Sequence, residues 1–195
     1  DNYDLSTSLG QTAAQEFASD GYTVKAGFQY FHSIIPFYFS ISNISVNFGT
    51  ITPQVASTQT ITLTAKFGDA GQYLVTALEK TPMTHSTLAD TIADTACDGG
   101  ADTCTETAAK TWTSSTRYGF GYNMSGTDIP VDFTSSNHYR PFPSLASSES
   151  PATVMSSSNV TSSSVANMKF KLNVAPDQAA GTYTTVINFT ATPSI

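Results

Sequence analysis

Apolar side chains in this chain recur at every second position, and the spacing of an amphipathic helix is almost absent. Tyr22, Val24, Ala26, Phe28 and Tyr30 share one face of an extended segment, with Thr23, Lys25, Gly27 and Gln29 on the other. Phe37, Phe39 and Ile41 continue the pattern, and Ile44, Val46 and Phe48 follow. Further runs are Ile61 to Phe67, Tyr73 to Ala77, Tyr118 to Tyr122, Met168 to Val174 and Tyr183 to Ala191. Successive side chains of a strand point to opposite faces, so each run offers one face to a core. Turn chemistry separates the runs: 49–53 reads as a turn and 68–71, Gly-Asp-Ala-Gly, as a hairpin connection. The pattern predicts an all-β chain, an antiparallel β-sandwich of pilin-like or Ig-like type with an extended N-terminal arm. Two stretches lack clean alternation and are expected as long loops, 80–116 and the Ser- and Pro-rich 125–164. The expected organisation is an arm over 1–30 and one sandwich domain over 31–195.

Composition narrows the function. Hydrophobic residues make up 39% of the 195 positions, enough for a core without metals, whereas charged residues are only 12%. Ser and Thr take the place of charge, a surface chemistry common in exported β proteins. Eight Lys and Arg against fifteen Asp and Glu give a net charge of −7. No basic stripe is available to displace counterions from phosphates, which argues against nucleic acid and against an anionic membrane surface. No apolar run approaches a membrane span. The chain starts at Asp1 without Met, which reads as a mature extracellular protein whose signal peptide has been removed.

Cys97 and Cys104 flank six residues with adjacent glycines, a spacing that lets the chain turn back into a small disulfide loop and matches no zinc or redox motif. Catalysis finds no support. His32, His85 and His138 are far apart, and no Gly-x-Ser-x-Gly elbow exists. Glu16, Glu79, Glu106 and Glu149 read as solvated side chains rather than an acid pair for glycoside hydrolysis. Asp90, Asp94, Asp98, Asp102 and Glu106 have some character of a calcium loop but not the EF-hand pattern, so no cofactor is expected. Tyr118, Phe120 and Tyr122 read as core, although with Trp112 they also have the chemistry of a sugar-stacking face. Asn43, Asn123, Asn159 and Asn188 begin N-x-Ser/Thr acceptor patterns, with Asn159, in a loop, the best placed for a glycan.

Ala180-Gly181-Thr182-Tyr183, followed by alternating Thr185, Ile187 and Phe189, resembles the final strand of exported pilin-like and spore-coat-U-like sandwiches. The wider chain resembles a family of small exported β proteins of unknown activity from uncultivated small-genome bacteria. The motifs that carry this are Asn2-Tyr3-Asp4-Leu5, Gly10-Gln11-Thr12-Ala13, the run Gly21 to Tyr30, Ile34-Ile35-Pro36-Phe37 and Tyr118-Gly119-Phe120-Gly121-Tyr122-Asn123. The resemblance implies secretion and a β fold, and it transfers no active site.

A functional expectation comes from the arm itself. An extended segment can add to an exposed sheet edge, with backbone hydrogen bonds giving affinity and alternate side chains filling pockets. Tyr22, Val24, Ala26, Phe28 and Tyr30 have the alternation such a donor strand needs, and Tyr3, Leu5 and Leu9 are a second candidate. Donation in one direction is a head-to-tail contact that makes a fibre when it does not close. The expectation is therefore an extracellular filament or pilus subunit whose partners are other copies of itself. Two alternatives stand beside it: residues 22–30 as the sandwich's own first strand, and a monomeric adhesin or glycan-binding module.

Overall fold

The computed structural model describes residues 16–20, 22–25, 37–66, 72–158 and 163–194. Its strands, in chain order, are β1 (Glu16–Ser19), β2 (Tyr22–Lys25), β3 (Tyr38–Ile41), β4 (Ser57–Lys66), β5 (Gln72–Glu79), β6 (Met83–His85) and β7 (Thr91–Ile92). They continue as β8 (Lys110–Thr111), β9 (Gly119–Gly126), β10 (His138–Tyr139), β11 (Ala152–Ser157), β12 (Ser164–Asn173), β13 (Tyr183–Thr184) and β14 (Ile187–Ser194). Among the described residues there is no α-helix, only a short 3-10 turn at Leu145–Ser147. The chain is all-β, and its strand pairs are antiparallel.

Two sheets carry the core. One has four strands in the order β3-β4-β12-β9, and the other three in the order β11-β5-β14. Ile61, Leu63 and Ala65 of β4, with Ala166, Met168 and Phe170 of β12, share one buried cluster with Tyr73, Val75 and Ala77 of β5. These are the residues whose alternation marked them as core, so period two reports the inward face directly. A register shift between Thr153 and Met155 of β11 lets both Val154 and Met155 point inward.

Local signals misplace three features. β4 and β5 do not form a hairpin: β4 pairs with β3 and β12, and β5 with β11 and β14, so the chain crosses between sheets after β4. The alternation at Ile44, Val46 and Phe48 does not extend β3. The Asn43 and Asn47 side chains accept the backbone N–H groups of Ser45 and Gly49 at 3.0 and 2.8 Å, and these local bonds displace a ladder. The stretch 125–164, expected as loop, contains β10 and β11, the latter a full member of the three-stranded sheet.

The stretches 93–118 and 127–140, on either side of β9, are a cover rather than free loops. Lys171 of β12 donates to the Trp112 carbonyl at 2.6 Å, and its ammonium lies 4.4 Å from the Trp112 ring centre. Asn173 donates to the carbonyls of Ser115 and Arg117, and Asn123 of β9 to those of Ser135 and His138. These polar side chains point away from the core, yet all three are buried, because the cover lies over them. Cys97, Cys104, Trp112 and Tyr139 form a second small apolar cluster inside the cover. Alternating glycines admit it: a Cβ on Gly121 would lie 2.7 Å from the Arg140 carbonyl oxygen and from Thr95.

Candidate functional site

The two core sheets end together at one margin. β3 is the outer strand of the four-stranded sheet, and β14 the outer strand of the three-stranded one. Among the described residues, β14 pairs only with β5 and β3 only with β4, so neither has a second strand beside it within them. Between the segment that follows β3 and the stretch from β13 into β14 lies a cavity of about 390 Å³. One wall is Ile41 to Phe48 and the other Tyr183 to Phe189, over a floor of Ile61, Met83, Phe120 and Phe170. The floor is the hydrophobic core itself.

Burial along the walls is incomplete. Ile187, Phe189 and Ala191 of β14 keep the inward parity, yet they are only half-buried, whereas the inward residues of β4, β5 and β12 are closed off from solvent. Ile41, Val46 and Phe48 are half-buried on the other wall, and Ile44 is 95% exposed at the mouth. Phe48 meets Phe120 edge-on at 6.2 Å between ring centres, which links the wall to the floor. Walls that mix Ile, Val and Phe with Asn, Ser and Thr, an apolar floor and two strands with no second partner among the described residues give the slot the chemistry of a strand acceptor.

The turn leading into β13 fixes one end of the slot. Tyr183 bonds through its hydroxyl to the Ala179 carbonyl at 2.9 Å and to Asp90 at 2.5 Å, and Gln178 donates to the same oxygen. The His85 ring packs edge-on against Tyr183 at 5.0 Å and sits where a Gly181 side chain would be, 1.9 Å from a built Cβ. His85 Nδ1 accepts the N–H groups of Thr87 and Leu88, so the ring presents its other nitrogen, Nε2, to the Ala180 carbonyl. The Ala180-Gly181-Thr182-Tyr183 motif is thus a packing device: glycine admits the imidazole and tyrosine closes the turn.

The remaining sequence candidates separate. Cys97 and Cys104 form a disulfide with Cα atoms 5.5 Å apart. Tyr22 and Val24 lie in β2, which pairs with β1, and Tyr22 is 63% exposed. Ala26, Phe28, Tyr30, Tyr3, Leu5, Leu9 and Asn159 lie outside the described residues. Trp112 is completely buried and unable to stack on a sugar. Phe120 and Tyr122 are core. Asn123 is buried, so the folded chain does not present it to a glycan.

The acidic residues diverge too. Asp90 holds Tyr183 and Gln178, Asp98 accepts the N–H groups of Thr113 and Ser114, and Asp94 is half-buried in a stretch bridged to Phe120. Glu79 corrects the sequence reading: it is fully buried rather than solvated. Its parity with Tyr73, Val75 and Ala77 carried that signal, and only its charge argued otherwise.

Comparison with protein-family models, with curated proteins and with solved structures returns no match, so the function rests on this geometry.

Proposed function

We propose that this chain is the structural subunit of an extracellular filament or pilus, assembled by adding a strand from the N-terminal segment of one copy to the β3–β14 slot of the next. The observation that carries the reading is the largely apolar slot beside β3 and β14, two strands that take no second partner among the described residues, opening onto the core. In this reading the two core layers are a pilin-like β-sandwich with one vacant strand position, and the chemistry is assembly rather than catalysis.

Magnitudes are compatible with a durable contact. Burying four apolar side chains at roughly 1.5–3 kcal/mol each contributes on the order of 10 kcal/mol before ordering costs. Association costs on the order of 4–15 kcal/mol, so backbone pairing along one or both free edges is needed as well. Tyr22, Val24, Ala26, Phe28 and Tyr30 are the first candidate for the donated face. β2 already gives one edge to β1, so as a hairpin it can pair with only one rim of the slot. Tyr3, Leu5 and Leu9, the second candidate, would suit insertion between both rims. The disulfide and the low content of charge support an oxidising, extracellular setting.

A monomeric surface adhesin is the second reading. It draws on exposed aromatic side chains such as Tyr22 and Tyr38, 63% and 52% exposed, rather than on Trp112. Electron microscopy of the purified protein separates the two. The filament reading expects long fibres of regular repeat that are lost when residues 1–30 are deleted. Dispersed particles at high protein concentration would overturn it.

A further inference from the structure

Glu79 ends β5 on the inward face, fully buried, and neither of its carboxyl oxygens receives a hydrogen bond from an N–H or hydroxyl. Asp94, half-buried, is the neighbouring carboxyl group whose charge bears most on it. A buried carboxylate with no donor and no cation is costly, and a proton on Glu79 removes that cost.

Among the described residues the surroundings offer no positive charge in its place. From the segment 143–149 come Ser144, paired with Glu79 across an isolated bridge, and Glu149. Glu149 is turned to accept the Ser144 N–H at 2.6 Å, and the Ser144 hydroxyl is buried with no partner. Asp94 comes from the strand-like stretch bridged to Phe120, and Glu106 faces it from the cover. The β14 residue paired with Glu79 is Ile187, which is uncharged. Arg140 is engaged by Asp132 and by the Glu106 carbonyl, and the Lys80 side chain is exposed. Among the described residues, no Lys, Arg or His is ion-paired to Glu79, Asp94 or Glu149.

We propose that Glu79 is held protonated in the fold, and that its neutral carboxyl keeps the segment 143–149 seated on the end of β5. The backbone fixes the geometry: the Glu79 N–H donates to the Pro143 carbonyl at 2.9 Å, and Ser144 lies beside the Glu79 side chain. When the proton leaves, a negative charge stands buried in a low dielectric without a donor, and the Asp94 and Glu149 charges act against it. Hydrating it requires the 143–149 segment to lift. Burial first, and then the Asp94 charge, push Glu79 from 4.5 to about 9; burial, with the charges of Glu149 and Glu106 adding to it, pushes Asp94 up as well. A carboxyl raised in the folded state makes that state bind more protons than the unfolded one. Stability from the Glu79 proton is therefore complete below about pH 4.5 and is lost as pH rises toward about 9.

The test is thermal unfolding of the whole protein from pH 5 to pH 9, for wild type, Glu79→Gln and Asp94→Asn, with infrared spectra of the carboxyl region. Wild type is expected to lose about 5 °C or more in Tm across that range, and both variants to flatten the slope. Glu79→Gln is expected to be the more stable protein at pH 9 and to lose a protonated-carboxyl band that wild type shows at pH 7. Retention of the wild-type slope by both variants, or absence of that band from wild type, would overturn the proposal. So would stabilisation of wild type at pH 8 by calcium or magnesium that a chelator reverses and Glu79→Gln abolishes, because the two carboxylates would then hold a cation.

Discussion

The margin formed by β9 and β11 and the margin formed by β3 and β14 are built from the same kinds of residue and end differently. At the first, β9 finds new partners: Tyr122 and Arg140 exchange backbone bonds at 2.9 Å, and Phe120 exchanges them with Ala93 and Thr95. β11 is tied in as Ser156 donates to the Asp128 carbonyl at 2.8 Å, while the Asp128 carboxylate accepts from Tyr73 and Ser164. Phe142 fills the interior there, stacked 4.3 Å from Tyr122 and completely buried. At the second margin the described residues supply neither backbone partners nor a plug. The difference teaches that edge strands in this chain are closed where a long excursion returns over them, and that among the described residues no such excursion returns over the β3–β14 edge. An unpaired edge above an apolar slot either binds something or aggregates, which is why the slot is read as functional.

The largest effect that would break this contrast is in the two cores. Phe142→Ala is expected to cost about 3–5 kcal/mol in denaturant unfolding, because a fully buried ring leaves a cavity. Phe189→Ala on the open wall is expected to cost less than about 2 kcal/mol in the isolated chain, because its ring is already half in water. Equal costs would mean that the slot is filled in the monomer. Next comes the ion pair under the closed margin. Arg140 binds Asp132 at 2.9 and 2.5 Å and is buried, and Asp132 also accepts the Ala109 N–H. Removing the cation in Arg140→Met strands that carboxylate, with an expected loss of about 3 kcal/mol by the same measurement.

Gly121→Ala is expected to cost about 1–3 kcal/mol, since its methyl group would strike the Arg140 backbone and lift the cover. Rising hydrogen exchange at Tyr122 and Arg140 would report that lifting. The smallest effect sharpens the contrast most. Ile44→Ser, at a side chain 95% exposed, is expected to leave monomer stability within about 0.5 kcal/mol and yet reduce fibre yield. A drop in both would place Ile44 in the fold rather than at the mouth of an acceptor.

Much of the fold was legible because period two is a local signal. Leu63, Val75, Met168 and Phe170 were marked as core by parity alone, and all are buried. What parity does not encode is which strand lies beside which. The turn residues after β4 look like a hairpin from either side, and only tertiary packing sends β5 to the other sheet. The cover was invisible for the same reason. Lys171 and Asn173 read as solvent-facing by their parity, and nothing local says that Trp112 and Arg117 will lie over them. β11 was hidden because a six-residue strand sits in a Ser- and Pro-rich stretch with a bulge that breaks its alternation. Glu79 was legible in principle, on the face of Tyr73 and Val75. A charge at an inward position is a better clue to a special site than to a loop. The slot itself was not legible, since it depends on the meeting of β3 with β14.

Cysteine cross-linking between two copies tests the strand-addition reading most directly, because both native cysteines are already held in a disulfide. One copy carries Ser45→Cys on the slot wall, and the other carries a cysteine in the N-terminal segment, at Ala26 or at Leu5. On mixing under mild oxidation, the account predicts disulfide-linked heterodimers, competed away by excess unlabelled protein with residues 1–30 intact. The contrary result is no bond between copies, together with rapid closure of the same bond inside one monomeric chain that carries both substitutions.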